Sequence, residues 1–501
     1  MYTAFIDFKK AYDTVDRDRL FERLKLLGIN GFFLRNITAM YENTRYSIKL
    51  MNGCLEPIDS NLGLKQGCPL SPMLFNLYID DIGNIFDDKC EPIEFQNEQI
   101  HHFLYADDLV LLSHTAEGLQ NSLEKLGGYA KYKHLTINTK KSKTMIFNPL
   151  GRHLKQQFSI EGQLLESVNT FCYLGFEVKP SGTVKHAMNT LQEKAKKALQ
   201  PLMCAISRFN IPAKTVIRLF HAFISPIILY SVENWATLTD KKIQNYTDVE
   251  IFNDTNKSKV DVIHRKFLKY ILGVSKSCPN IAVYGETSEI PLSLKGYGLM
   301  LNYWNRLTNL PDKSLAKKAL LENINLRTNW ILTIEKLIRT FQLTESNNTN
   351  DPFKKASKEN ILRYYKTSWK GKLTDQDQTR LQVYKTIKGE FMQSKHLELP
   401  FFMRKVVSKI RCSDHPLEIE KGRHLNIPRT DRICKICTEG VIEDEEHFLL
   451  KCKIYQPLRE KHFMYADNLY DFLNTETQEN LAKYIIDAFQ LREIRKEMLQ
   501  L

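Results

Sequence analysis

Nowhere in the 501 residues is there an apolar run long enough to cross a bilayer; the longest, Phe220 to Val232, is broken by Pro226 and fits a pair of buried helices. The start, Met1 to Lys10, lacks the basic-then-apolar layout of a secretory signal. An exported, disulfide-held protein is therefore not expected, and most of the ten cysteines read as buried thiols. Glycine (21) and proline (17) are too sparse for a collagen-like or low-complexity chain, and no internal repeat is visible. Negative charge is also in short supply: 58 acidic residues face 71 Lys and Arg, for a formal net charge of +13. That surplus favours a polyanionic partner, nucleic acid before an anionic membrane, although a merely soluble basic surface would show the same sum. The 43% hydrophobic and 26% charged content is that of a folded protein, and the length calls for two or three domains with separate cores.

Thr3 to Phe8 reads as a strand running into Asp7, after which Ala11, Val15, Leu20 and Leu24 recur at helical spacing as far as Gly28. Tyr46 to Leu50 and Leu55 to Ile58 predict a hairpin turning at Asn52-Gly53. Ser71 before Pro72 is an N-cap signal, and Leu74, Leu77, Tyr78, Ile82 and Ile85 continue the helix. Phe103 to Ser113 predicts two short strands around a tight turn, Glu117 to Tyr132 a helix, and Lys143 to Phe147 and Phe171 to Val178 further strands. This alternation is that of an α+β fold with helices on one face of a sheet. After Pro180 the pattern turns helical, and the polar stretch Thr344 to Pro352 reads as a linker. The expected domains are residues 1–180, 181–343 and 353–501.

Two acidic sites end otherwise apolar strands, where a carboxylate is costly unless something pairs with it: Asp7, and the pair Asp107-Asp108. Three carboxylates brought together raise one another's pKa and need a cation to stay ionised. A few hard oxygen ligands suit Mg²⁺, with substrate phosphates completing its shell. Two such ions about 4 Å apart would hold a hydroxyl and a triphosphate in line, which is nucleotidyl transfer. Alone, Asp107-Asp108 would be an ordinary solvated turn. Tyr78-Ile79-Asp80-Asp81 has nearly the same letters but lies in the helical pattern after Ser71, so its acids read as structural or surface residues.

Phe5-Ile6-Asp7-Phe8-Lys9-Lys10-Ala11-Tyr12-Asp13 resembles the first catalytic motif of reverse transcriptases, Leu64 to Pro72 (LKQGCPLSP) their template-grip motif, and Tyr105-Ala106-Asp107-Asp108 their catalytic hairpin in the alanine form of non-LTR elements. Ile137-Asn138 with Lys141 and Lys143, and Phe171-Cys172-Tyr173-Leu174-Gly175, resemble the next motif and the primer grip. The resemblance, strong over about the first third of the chain, implies a right-hand polymerase palm, an antiparallel sheet with helices on one face, then an α-helical thumb-like region. It implies an RNA-directed DNA polymerase that extends a DNA primer or target on an RNA template with dNTP substrates. Asp7 and Asp107 would ligate two Mg²⁺, with Asp108 beside them and the Phe8 carbonyl assisting. Tyr12 would lie under the incoming sugar and exclude a 2′-hydroxyl; its alternative is an ordinary core aromatic. Gln66 and Gly67 would approach the template, and Tyr105 and Ala106 carry the hairpin. Lys141 would protonate the leaving pyrophosphate, or is a plain surface lysine. Lys185, Lys194, Lys196 and Lys197 on one helix, and His264, Arg265, Lys266 and Lys269 on another, would track a nucleic-acid backbone; elsewhere such runs are solvated faces.

Cys434, Cys437, His447 and Cys452 give C-x2-C-x9-H-x4-C, four ligands suited to one tetrahedral, structural Zn²⁺ in a small zinc-binding domain. This segment, 434–452, resembles the zinc-binding segment after the polymerase of non-LTR elements, with Arg423, His424, Arg429 and Arg432 as phosphate contacts nearby. Complete reverse transcriptases place a fingers region, and LINE elements an endonuclease, before the position of Asp7. The expectation is thus a front-truncated fragment that polymerises weakly or not at all alone. Its alternatives are a non-catalytic nucleic-acid-binding remnant or domesticated protein, and a group II intron maturase, which the zinc segment and Tyr105-Ala106 fit less well. The expected site of action is intracellular, in the nucleus after cytoplasmic assembly with RNA, without a membrane; oligomeric state leaves no signal.

Overall fold

The structure is a computed structural model, and it describes residues 1–51, 53–209, 211–236, 251, 258–343, 351–374 and 381–499. The chain forms two compact units, Met1–Ala187 and Met188–Leu501. Asn52 of the expected hairpin turn and residues 344–350 of the expected linker lie outside the described residues.

Unit one is built on a six-stranded sheet: β1 (Tyr2–Ile6), β2 (His102–Tyr105), β3 (Asp108–Ser113), β4 (Lys143–Ile146), β5 (Phe158–Ile160) and β6 (Gln163–Ser167). The spatial order is β5-β6-β4-β1-β3-β2, with β1 central between β4 and β3. Every pair is antiparallel except β4 with β6, so the sheet is mixed rather than purely antiparallel as expected. Period-two alternation sorts its side chains. Ala4, Ile6, Leu109 and Leu111 point to one face and form the main core with Leu119, Leu123 and Leu126 of the helix Ala116–Tyr132. Phe5, Val110, Leu112 and Met145 point to the other.

That second face is covered by a hairpin, β7 (Phe171–Tyr173) and β8 (Phe176–Val178), where a single strand was expected. Leu174 and Gly175 turn it with φ of 46° and 79°, the two positive values of a tight hairpin turn. The Phe171 ring stacks on Phe5 at 4.1 Å, which seats the hairpin under β1.

The helix expected from Ala11 to Gly28 is divided. Ala11–Asp13 make a 3₁₀ turn, and the helix proper is Arg17–Leu26, capped by Asp16, whose carboxylate accepts from Arg19 N at 3.2 Å. The helix begun at Ser71 ends at Tyr78 and continues as a 3₁₀ turn, Asp80–Ile85. Strands β5 and β6 were not anticipated.

Unit two is helical. The apolar run behaves as Pro226 dictates: one helix ends at Phe223, a four-residue helix Ser225–Ile228 follows, and another begins at Val232. Helix Leu292–Thr308 packs against both Val232–Trp235 and Asp351–Thr374, so helices on either side of residues 344–350 share this unit. Its buried acid Glu286 is satisfied by Arg411 Nε at 2.7 Å, with Lys388 at 3.7 Å and His396 at 3.6 Å. Burial alone would raise that carboxyl's pKa, but Arg411 and then Lys388 hold it far below the usual carboxylate range. Five of the ten cysteines are buried and three are exposed, fewer buried thiols than expected. Among the described residues no helix is long and apolar enough to cross a membrane.

Candidate functional site

Register brings the acids together. Ile6 pairs with Leu109 across β1 and β3, so one step further Asp7 faces Asp108. On its other side Phe5 pairs with Lys143 of β4, and Asp7 N donates to Ser142 Oγ at 3.1 Å. Asp107 sits in the two-residue turn between the paired Tyr105 and Asp108. Ala106 fills the other turn position at φ 53°, a left-handed conformation that costs a non-glycine residue about 1 kcal/mol or more. Tyr105 stays exposed.

Asn138 fixes the first acid: its Nδ2 donates to Asp7 Oδ2 at 2.8 Å and its N–H to the Asp7 carbonyl at 2.7 Å. One carboxylate oxygen of Asp7 is thereby oriented and the other left for a ligand. No side-chain hydrogen bond or ion pair among the described residues reaches Asp107 or Asp108. The look-alike acids differ in just this respect. Asp80 lies 2.6 Å from Arg23, and Asp81 accepts from Lys133 Nζ at 2.9 Å and Tyr129 OH at 2.6 Å. Neutralised acids hold the fold; the unneutralised three suit a cation. Their oxygens do not converge as closely as the ligand atoms of the cysteine cluster, which all lie within 4.8 Å of one another.

Burial, then the charges of Asp107 and Asp7, push the Asp108 carboxyl above the usual carboxylate pKa. A carboxyl raised on folding contributes stability that is present below its unfolded pKa and lost as pH rises through the folded one. Asp108→Asn is therefore expected to raise the Tm at pH 7 without divalent salt, the difference closing toward about pH 4. A Tm at pH 7 that stays level or falls would contradict this crowding.

Lys141 lines a cavity of about 250 Å³ with Phe5, Ile6, Asp7, Asp108, Leu109, Phe171, Cys172 and Tyr173, which sets the hairpin beside the acids. Burial and then the Asp108 charge raise the Tyr173 hydroxyl pKa. Tyr12 stacks on Phe75 at 4.7 Å, and its hydroxyl pKa is raised by burial and then by Asp107. Phe8, 4% exposed, bridges Ile137. Leu64 N donates to the Tyr12 carbonyl at 2.7 Å and Gln66 Nε2 to Asp13 Oδ1 at 2.8 Å, so the Gln66-Gly67 segment is clamped to the Tyr12 turn. Gly67 has φ 80°.

Sequence reasoning missed what holds that clamp. Arg17, 6% exposed, donates to the carbonyls of Ser60 (2.6 Å), Gly63 (2.9 Å), Leu62 (3.0 Å) and Tyr41 (3.2 Å). Gly63 lies so close that an added Cβ would meet the Asp13 carbonyl oxygen at 2.6 Å. Neither leaves a local signal, because their partners are distant backbone atoms.

In unit two, the Cys434 N–H donates to the Val441 carbonyl at 2.8 Å, closing the Cys-x-x-Cys knuckle, and Ile433 bridges Ile442. His447–Lys451 form a π turn in which Cys452 N donates to the His447 carbonyl at 2.8 Å. The wider turn sets two residues five apart on one side, as H-x4-C requires. Cys434, His447 and Cys452 are buried and Cys437 half-buried, so the residue set and its enclosure fit a closed, thiolate-rich metal site. The expected phosphate contacts fare unevenly. Arg429 is exposed, but Arg432 spends its guanidinium on the Ile427 and Ile419 carbonyls, and Arg423 pairs with Glu420 at 2.7 Å. His264 is fully buried, which removes it from the basic face expected around Arg265, whereas Lys194, Lys196 and Lys197 are exposed.

Residues 1–178 match the family described as reverse transcriptase (RNA-dependent DNA polymerase). The chain is 28% identical over 255 residues, 48% of its length, to a Pol polyprotein from a type-1 retrotransposable element R2 of Popillia japonica, of which it covers 41%. It is 24% identical over 329 residues, 64% of its length, to the corresponding R2 polyprotein of Bradysia coprophila, covering 34% of it. A probable RNA-directed DNA polymerase from transposon BS of Drosophila melanogaster is 22% identical over 261 residues, half of this chain and 28% of that protein. The chain thus spans less than half the length of each of these relatives. Residues 1–178, with their central strand ending in Asp7 beside the Asp107-Asp108 hairpin, are a reverse transcriptase domain of the non-LTR retrotransposon kind.

Proposed function

We propose that this chain is the RNA-directed DNA polymerase portion of a non-LTR retrotransposon protein, extending a DNA primer on an RNA template. The observation that carries the reading is the placement of Asp7 at the end of β1, across from Asp108, with Asp107 in the adjoining turn. Asp7 and Asp107, with Asp108 and the Phe8 carbonyl beside them, would hold two Mg²⁺, which when bound activate the primer hydroxyl and neutralise charge on the triphosphate. The primer 3′-oxygen bonds to the α-phosphorus of the dNTP while the bond to the β-phosphate oxygen breaks and pyrophosphate leaves. Lys141, beside Asp7 and Asp108 in one cavity, gives the leaving group its proton. Gln66 and Gly67 offer small, fixed backbone to the template, and the exposed lysines of helix Lys185–Arg208 offer charge to the duplex. Zn²⁺ on Cys434, Cys437, His447 and Cys452 is structural. Action on chromosomal DNA in the nucleus fits these substrates.

Tyr12 supplies the test. Its ring, backed by Phe75, is stiff and sits next to Asp107, where the sugar of a bound nucleotide would lie. In protein with a fingers region joined upstream, on oligo(dT)–poly(A) with Mg²⁺, Tyr12→Ala is expected to narrow the preference for dTTP over UTP by about 10- to 100-fold, a steric difference of about 1–3 kcal/mol. An unchanged ratio would remove Tyr12 from the nucleotide pocket.

A further inference from the structure

His221, on helix Ala213–Phe223, His264, on helix Lys259–Leu272, and Glu289, in the connection to helix Leu292–Thr308, each direct one ligand atom to a common point, all within 4.8 Å of one another. We propose that these three residues form a second zinc site, separate from the cysteine cluster, that pins three segments of the helical unit.

The hydrogen bonding of the group does not close on itself. His221 Nε2 lies 2.8 Å from Glu289 Oε2 and 3.1 Å from Lys295 Nζ, which is also 3.1 Å from Glu289 Oε2. If Nε2 carries a proton, it bonds the carboxylate but opposes the lysine ammonium; if it is bare, it accepts from the lysine but opposes the carboxylate. One of the two short contacts is repulsive in either tautomer. A divalent cation resolves the conflict, because a bare Nε2 and a carboxylate oxygen both aim lone pairs at it.

His264 is the second observation. It is fully buried, and among the described residues neither ring nitrogen has a hydrogen-bond partner. Leaving a buried polar atom unpaired is costly, and a neutral imidazole recovers that cost by binding a metal. Stacking on Phe220 at 5.2 Å fixes the ring, and its Nε2 lies 3.8 Å from Glu289 Oε2. In a tetrahedral site with bonds of about 2.05 Å the ligand atoms stand roughly 3.3 Å apart, between the two separations seen here. Two imidazoles and a carboxylate select Zn²⁺ over Mg²⁺, which prefers oxygen alone. His221, 26% exposed, gives the metal a path in and leaves the fourth position to water. Lys295 competes for the same place: its ammonium is the cation beside Glu289 in this structure, and it must withdraw when metal binds.

Co²⁺ titration of the full chain separates the two sites, since a Cys3His site gives intense thiolate-to-cobalt bands and a His2Glu site only weak visible ones. With excess Mg²⁺ present to keep Co²⁺ from the Asp7, Asp107 and Asp108 carboxylates, two equivalents are expected, the second without thiolate bands. His264→Phe, which keeps the ring volume, and Glu289→Gln should each weaken that second equivalent by about 100-fold or more while the thiolate bands persist. Lys295→Met should tighten it by about tenfold, a gain that misfolding cannot imitate. Binding of a single equivalent, a second equivalent retained in both ligand variants, or no tightening in Lys295→Met would each overturn the site.

Discussion

With a fingers region joined upstream, Asp107→Asn is expected to reduce Mg²⁺-dependent incorporation of dTTP on oligo(dT)–poly(A) by about 10³-fold or more relative to the same protein without the substitution, because it takes a negative ligand from the cations that would neutralise the developing charge. The substitution keeps the size of the side chain, and the turn is made by Ala106 and the backbone pairing of Tyr105 with Asp108, so the hairpin should survive. RNA binding, which depends on lysines elsewhere, should not change. Asp80→Asn is the matched control. It alters an acid in a near-copy of the same four letters, but one already paired with Arg23 at 2.6 Å, and should leave incorporation within about twofold at a cost typical of a half-exposed ion pair. Equal losses in the two variants would mean that stability, not chemistry, is being measured.

Loss of the cysteine-bound metal should have the largest effect on stability. Cys452 is fully buried and bonded through its N–H to His447, while Cys434 opens the knuckle on the other side of the cluster. Between them lies Glu443, buried and held by Arg492 Nε at 2.8 Å and Nη2 at 2.6 Å, which ties the helix Gln478–Met498 to the same segment. Knuckle, π turn and C-terminal helix therefore form one piece, which a metal bound at the cysteine cluster would close. Structural Zn²⁺ is worth about 10–16 kcal/mol to isolated finger peptides, so even partial replacement by surrounding packing leaves an expected loss of about 3 kcal/mol or more. Cys452→Ser should show that loss in urea denaturation, together with loss of the thiolate-bound zinc in elemental analysis. A chelator should reproduce the loss in the unsubstituted chain and add little to it in the variant. Cys278→Ser, a buried thiol outside the cluster, should keep its zinc. Full zinc content in Cys452→Ser would contradict the ligand set.

The candidate sites were legible where residue type and spacing both carried information. Asp7 and Asp107-Asp108 stand out because acids at the ends of apolar strands are costly, and the β1–β3 register brings them face to face. The four candidate zinc ligands stand out by spacing alone, and the π turn explains why their last interval is four residues. What stayed hidden depends on partners far along the chain. Arg17 carries no local signal that sets it apart, yet it is buried against four carbonyls. His264 reads as part of a basic face and is buried because Phe220 and Tyr284 pack around it. Strands β5 and β6 are short and only half apolar; their Glu161-Gly162 turn, with φ of 52° and 76°, was the available signal. The hairpin β7–β8 reads as one strand in the sequence because Leu174 occupies a left-handed position where asparagine or glycine is usual.

Paramagnetic resonance of Mn²⁺ on zinc-loaded chain, with primer–template and dTTP present, tests most directly whether three acids distant in sequence act as one cation site. Two Mn²⁺ per chain, close enough to couple, should appear in the unsubstituted protein and be lost in both Asp7→Asn and Asp107→Asn. Undiminished coupled manganese in Asp7→Asn would show that the end of β1 does not share its cations with the hairpin, and the polymerase assignment of this site would fall.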